Sequence, residues 1–204
     1  MGSRASLPQM KQREMFLQAD AALRSVIDQI TPAQLALPAP GQWSRTEDPT
    51  LRDILAAHAE DEAWLPAVLE GRTIEEVGDT YKGDLLGDDP VGNYDRINEA
   101  TTKVVSGDLD PDPDKIVHLS YGDYPLNEAL QHTALYRAFQ AWSIAKHLEL
   151  DYSLPAVLVE NLWEQIAPDI EMWRGFGVFP PEVPVPEGAN REVQLLGKAG
   201  YWRE

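Results

Sequence analysis

Four stretches of this chain carry apolar residues at three- and four-residue steps, and proline or glycine punctuates each of them. That pattern commits the chain to helices, each burying one face against the others. The longest runs from Pro125 to Leu148, where Leu130, Ala134, Ala138, Ala141 and Ala145 make a stripe of small apolar side chains. From Pro8 to Ile30, Phe16, Ala19, Leu23, Val26, Ile27 and Ile30 share a face, and Thr31-Pro32 ends the segment. Thr50 is placed to cap a helix from Leu51 to Glu70, with Pro66 as an internal bend and Gly71 as its stop. Pro90 to Val105 is the remaining one, with Val91, Tyr94, Ile97, Thr101, Val104 and Val105 inward.

The connecting segments are polar. Gly78 to Asp89 is rich in glycine and aspartate, and Asp108 to Asp114 alternates Asp with Pro, which reads as a solvated loop. Lys115 to Gly122 has a short extended pattern that predicts a small hairpin or a lone strand. Pro155 to about Trp173 reads as a fifth helix, and the proline-rich tail from Gly175 as an extended arm lying on the rest. The expected fold class is all-α: one domain, 1–204, built as a four-helix up-and-down bundle near 8–30, 51–70, 90–105 and 125–148. An extra helix, a short hairpin and a C-terminal arm (175–204) complete it.

A chain of 204 residues with 43% hydrophobic content suits one buried core. Its formal net charge of −17 repels phosphate backbones, which argues against a nucleic-acid partner. The sequence has no run of eighteen apolar residues, and its first residues lack a secretory pattern. No membrane partner and a cytoplasmic location are therefore expected. Without cysteine there are no disulfides, thiolate nucleophiles or Cys-ligated metals, so any thiol would have to arrive as a cosubstrate. The expected partner is a small organic molecule, and the expected assembly a monomer or homodimer.

Polar groups interrupt two of the apolar faces. On the longest helix His132, Tyr136, Gln140, Ser143 and His147 follow steps of four, four, three and four, which sets them on one stripe. On the helix from Leu51, His58 and Glu62 are four apart and fall between Ile54, Leu55 and Leu65. Burying such groups costs free energy unless they find partners. Two helices thus direct polar side chains toward the interior, where bundle proteins build cofactor and metal sites.

Several segments, in order, carry a resemblance. They are Gly41-Gln42-Trp43-Ser44, Leu51 to His58 followed by Trp64, Gly87-Asp88-Asp89-Pro90, Gly122-Asp123-Tyr124-Pro125, Tyr136 to Ser143, and Phe179 to Pro186 followed by Leu195-Leu196-Gly197 and Trp202. Together they resemble the DinB-like superfamily, in the branch of the mycothiol-dependent maleylpyruvate isomerases, and the tail resembles that of an actinobacterial subgroup. The resemblance implies a DinB-like bundle with a metal held by a His on the second helix and by an acid and a His on the longest one. His58 and Trp142 match that pattern. Tyr136 stands at the acid position, Gln140 at the His position and Ser143 at a following Asp position, so the implied metal site is degenerate.

A catalytic zinc site needs three protein ligands and an open position, and of the implied set only His58 survives. Glu62 and His132 are substitutes by residue type, but His132 lies roughly 12 Å along the helix axis from Gln140. No cofactor is therefore expected, with a divalent metal, zinc or nickel, on noncanonical ligands as the alternative. Without metal, His58 could serve as general acid or base, and Tyr136 and Gln140 could hold a carbonyl or enolate oxygen. Trp64 and Trp142 would wall the pocket, and Glu62, Ser143 and His132 would complete the substrate contacts.

Each residue also has a purely structural role open to it. His58 can be a buried histidine bonded to Tyr136 or Gln140, Glu62 a paired helix acid, His132 a solvent-facing residue, and both tryptophans core. His147 suits the C-terminal dipole and His118 the surface. Three functions remain open: a metal-independent isomerase, lyase or cyclase of an organic, secondary-metabolite-like compound; a metal- and mycothiol-dependent transferase or isomerase; and a non-catalytic binding or self-resistance protein.

Overall fold

The computed structural model describes residues 11–203. It is mainly helical, and the described residues contain one two-stranded sheet. The helices are α1 (Lys11–Ile27), α2 (Leu51–Leu69), α3 (Ile74–Val77), α4 (Pro90–Lys103), α5 (Leu126–His147), α6 (Ala156–Gln165), α7 (Ile170–Gly175) and α8 (Arg191–Lys198). Strands β1 (Ile116–Leu119) and β2 (Gly122–Pro125) form an antiparallel hairpin. The Pro8–Met10 start expected for the first helix lies outside the described residues.

Helix α1 packs most closely along α5, and α2 along α4. The apolar stripe of α1 is fully covered: Met15, Phe16, Leu23, Val26 and Ile27 are all buried. The small stripe of α5 permits the close approach, since Ala134, Ala138, Ala141 and Ala145 are buried too. Helices α2 and α5 meet differently. They reach each other across the interior through long polar side chains, and the candidate site occupies that layer.

The cap expected at Thr50 is a reciprocal capping box. The Thr50 hydroxyl accepts from the Asp53 amide and the Asp53 carboxylate accepts from the Thr50 amide, at 3.4 and 2.7 Å; such a cap contributes about 1 kcal/mol. At the other end the Gly71 amide bonds Val68 O and the Arg72 amide bonds Ala67 O, with Gly71 at φ 88°. This left-handed cap uses the one residue type that adopts the conformation without strain.

Pro66 stays inside α2. It has no N–H to give the carbonyl of Glu62, one turn back, and that carbonyl would be stranded in the interior. The buried Thr101 hydroxyl of α4 donates to it at 2.7 Å. One side chain thus offsets the proline, ties α4 to α2 and fixes the backbone at Glu62.

Between Gly71 and Gly78 lies α3, whose Thr73–Glu76 capping box carries a single turn. Three expectations are corrected. Helix α4 leaves regular geometry at Val104 and ends in a wider turn, Val104–Asp108. The fifth helix is broken: α6 stops at Gln165 and α7 starts at Ile170, because Pro168 between them offers no amide to continue the ladder. The tail is not extended throughout. Asn190 caps α8, and Leu195 and Leu196 on one face are buried. The segment preceding α8 packs on it so tightly that a Cβ on Gly197 would collide with the Val185 side chain. The arm ends with Tyr201 stacked on Phe139 of α5, ring centroids 4.7 Å apart.

Candidate functional site

Helical spacing and the packing around α2 set His58 inward, with 2% of its surface exposed. Tyr136 from α5 covers it, ring centroids 5.0 Å apart at 30°. Gln140, one turn further along α5, lies beside the imidazole and is 8% exposed. Ser143, 7% exposed, continues the same stripe. The structure therefore brings His58, Tyr136 and Gln140 together. His58 Nε2 and Gln140 Oε1 are both buried and neither meets the geometry of a hydrogen bond, although the Gln140 amide is close enough to His58 to favour the protonated ring. Such orphans destabilise a core by about 1–3 kcal/mol each.

The charge beneath this pair comes from a residue that the polar stripes did not include. Arg137 is 2% exposed and reaches between α1 and α2. Its Nε donates to Glu62 Oε1 at 2.9 Å and to Asp20 Oδ1 at 3.3 Å, and its Nη2 lies 2.7 Å from Glu62 Oε1. Asp20 is further held by the Asn98 amide and the Thr102 hydroxyl, each at 2.8 Å. The guanidinium also sits 4.9 Å from the centre of the Phe16 ring. Burial pushes the Glu62 carboxyl up, to about 8, and the charge of Asp20 adds to this against the opposing pull of Arg137. The upward-shifted Glu62 carboxyl shares the Arg137 guanidinium with Asp20.

That arrangement sets the state of His58. Burial holds its pKa down, to about 4; the positive field of Arg137 lowers it further, and the Gln140 amide only partly compensates. His58 is a neutral imidazole at physiological pH. Tyr136 is half open, 38% exposed, yet burial and the nearby Asp61 carboxylate raise its pKa above the phenolic range. It too is neutral, a hydrogen-bond donor.

Other expected members stand elsewhere. Glu62 is 1% exposed, with Oε1 held by Arg137 and Oε2 buried without a partner. Trp64 and Trp142 are each six residues from His58 or Tyr136, which on a regular helix sets them roughly 120° around from that stripe. Trp64 packs near Tyr81, with centroids 6.0 Å apart. Trp142 is buried, with the Lys146 amine 5.7 Å from its ring centre. His132 lies one turn before Tyr136 on the same stripe. It is packed among Tyr124 and Trp173, at 4.8 and 5.2 Å, rather than facing solvent. His147 is drawn to Pro38 O, 2.9 Å from Nε2, and His118 pairs with Asp123 in the hairpin at 2.7 Å.

The donor set does not suit the metal that the family resemblance implies. It offers one imidazole nitrogen and one amide oxygen. Tyr136 is held in its neutral form, and the neighbouring acid, Glu62, is paired. Among the described residues no three His, Asp or Glu side chains gather in a metal-holding group. Cavities of about 170 and 330 Å³ lie beside Leu69–Lys115 and Pro38–Thr50, and neither borders His58. No helix among the described residues is long and apolar enough to cross a membrane. Comparisons with protein-family models, curated proteins and solved structures return no match.

Proposed function

We propose that the chain is a metal-independent small-molecule enzyme built on a DinB-like four-helix bundle, with His58, Gln140 and Tyr136 as its polar centre. The observation that carries this reading is the pair of buried, unpartnered atoms, His58 Nε2 and Gln140 Oε1, beneath a half-exposed Tyr136. A helical core that had merely lost an ancestral metal would gain stability by filling this layer with apolar side chains. Keeping orphaned polar atoms under a movable ring suits a ligand that supplies their missing bonds.

The chemistry follows from protonation states. A neutral imidazole of depressed pKa is a better hydrogen-bond donor to a developing oxyanion than a base for a carbon acid. In this reading the Tyr136 ring swings aside, a ligand carbonyl meets the imidazole N–H and the phenol O–H, and enolisation becomes easier. With a β,γ-unsaturated ketone the proton lost from the α-carbon passes to water and one from water returns at the γ-carbon, which moves the double bond into conjugation. Gln140 turns its amide to match the ligand. Elimination through such an enolate would expel a β-substituent of the ligand with its electron pair, and cyclisation would join the α-carbon to an electrophilic carbon of the same ligand.

The test is hydrogen–deuterium exchange at the α-carbon of enolisable ketones, cationic, neutral and anionic, followed by proton NMR in D2O. Removing one such donor typically costs about 100- to 1,000-fold in rate. We expect wild-type protein to accelerate exchange of at least one ketone, with His58→Gln and Tyr136→Phe at least about tenfold slower and equally well folded. Equal exchange by all three proteins across the panel rejects the reading.

A further inference from the structure

The cavity of about 330 Å³ stands apart from the His58 layer and is built by the segment between α1 and α2. Pro38, Ala39 and Gly41 line it from the first half of that segment, and Asp48, Pro49 and Thr50 from the second. Its volume lies in the range of small-molecule sites. The two halves are pinned as a short antiparallel pair. The Ala39 amide donates to Pro49 O at 2.8 Å and the Leu51 amide to Leu37 O at 2.9 Å. Both halves are also anchored to helices. His147 Nε2, at the end of α5, lies 2.9 Å from Pro38 O, and the Trp43 ring packs edge-on to that imidazole at 5.5 Å. Thr50 is fixed by its capping box at the start of α2. Pro38, Pro40 and Pro49 restrict the backbone further. A loop held at this many points keeps the cleft open, so a ligand meets preformed walls and little ordering cost.

The chemistry of the wall is selective. Pro38 and Pro49 have no amide to donate. The amides of Ala39 and Thr50 are bonded to Pro49 O and to the Asp53 carboxylate, and the Thr50 hydroxyl lies 2.6 Å from that carboxylate. No basic side chain is among the lining residues, and Asp48 is the charged one. Asp48 holds φ 47°, in the left-handed region. Glycine adopts that conformation without strain, and aspartate tolerates it less well. A residue needed for the turn alone would be glycine; aspartate at this position brings a carboxylate to an otherwise apolar cleft. A Cβ added at Gly41 would meet no atom within 4 Å, so the cleft has room at that residue.

We propose that this cleft is a second small-molecule site, which takes a primary amine with a compact apolar body. The ammonium pairs with Asp48, and the body lies against Pro38, Ala39 and Pro49. An anion would meet the Asp48 carboxylate, in a protein of net charge −17, with no lining cation to offset it. A neutral molecule of the same shape would bury the same surface and forgo the ion pair. The site does not border His58, so it stands or falls independently of the enolisation chemistry.

The experiment titrates benzylamine, benzyl alcohol and benzoate into the 15N-labelled full chain at neutral pH, reading the Gly41, Asp48 and Thr50 amides. We expect all three amides to shift together with benzylamine. The amine should bind about threefold or more tightly than the alcohol, the strength of a partly exposed ion pair, and benzoate should bind most weakly. Added salt should weaken the amine and spare the alcohol. Asp48→Asn keeps a side chain that accepts the left-handed backbone and removes the charge. In that variant the preference for the amine should vanish while the alcohol binds as before. The position is exposed, and a native spectrum establishes that the variant is folded. Equal binding of amine and alcohol by wild type, a preference that survives Asp48→Asn, shifts confined to residues outside the loop, or no shift at all each overturn the proposal.

Discussion

Replacing Arg137 by Met is the sharpest perturbation of this fold. Methionine keeps the length and much of the apolar contact of the arginine stem, so the change isolates the guanidinium. That group makes contacts of 2.7 and 2.9 Å to Glu62 and 3.3 Å to Asp20, donates to Thr133 O at 3.2 Å and lies over Phe16. Removing one partner of a buried ion pair usually costs about 3–5 kcal/mol, because the remaining charge is stranded. Here two buried carboxyl groups, those of Glu62 and Asp20, lose the cation they share. For a domain of this size the loss corresponds to a fall of roughly 10 °C in Tm. The pH dependence is diagnostic. Without the guanidinium the buried Glu62 carboxyl, already shifted upward, loses the cation that opposes the shift and favours its protonated form in the folded state more strongly still. The folded state then binds more protons, and stability returns as pH falls from 8 toward about 4. Urea unfolding of wild type and Arg137→Met at pH 5 and pH 8 measures this. A loss below about 1 kcal/mol at pH 8, or a loss that does not shrink at pH 5, would show that the cluster is not the buried ion pair described here.

Three further outcomes follow from single groups. Thr101→Val should cost about 1–3 kcal/mol by stranding the Glu62 carbonyl, and the same change in a Pro66→Ala background should cost markedly less, because alanine restores the missing amide; equal costs in both backgrounds, read by urea unfolding, contradict the account of Pro66. Glu149→Gly should raise stability by up to about 1 kcal/mol, since Glu149 holds φ 55° at the end of α5; a lower Tm refutes it. His58→Gln should remove an acid-side loss of stability. The unfolded His58 takes up its proton near 6.5 and the folded one only near 4, so stability conferred by the neutral ring is complete above 6.5 and falls by roughly 3 kcal/mol on the way to 4. Glu62 has the opposite slope, its folded pKa being raised to about 8, and partly masks this in wild type. The difference between wild type and variant, read by urea unfolding at each pH, isolates it, and a difference that does not change between pH 7 and pH 4.5 rejects the assignment.

Elements with strong local signals were legible. Periodicity located α2 and α5 nearly to the residue, and Thr50 and Gly71 announced both ends of α2. Pro168 was equally visible, yet the apolar pattern on both sides of it outweighed the break. Helix α8 was hidden because the prolines of 180–186 colour the whole tail, whereas Asn190 as a cap concerns only the residues after it. In the site, spacing found His58, Tyr136 and Gln140. The same spacing, followed six residues on, sets Trp64 and Trp142 to one side of that stripe, a direction that their aromatic character outweighed. Arg137 carried a signal too: it falls three residues after Ala134 and four before Ala141, inside an apolar stripe, where a charge must be paired. Asp20 stands in the same relation to Phe16 on α1. That these two meet, and that Glu62 joins them, depends on how α1, α2 and α5 converge. No one-dimensional pattern contains this.

Three ionisable side chains in one buried layer are not an efficient way to hold helices together. Apolar residues of equal volume often do as well or better. The cluster's effect reaches further than its own contacts. The positive field of Arg137 adds to the burial that holds the His58 pKa down, so the cluster helps to keep the imidazole neutral. An apolar replacement of the whole cluster would remove that field while sparing the packing. The triple change Asp20→Leu, Glu62→Leu and Arg137→Met therefore separates the two roles. If the cluster is chiefly structural glue, the triple variant loses stability and His58 is unaffected. If it tunes the site, stability is kept within about 2 kcal/mol of wild type, while the His58 pKa, read from its ring 15N shifts, rises above about 4 yet stays below its ordinary value, because burial, the larger cause, remains.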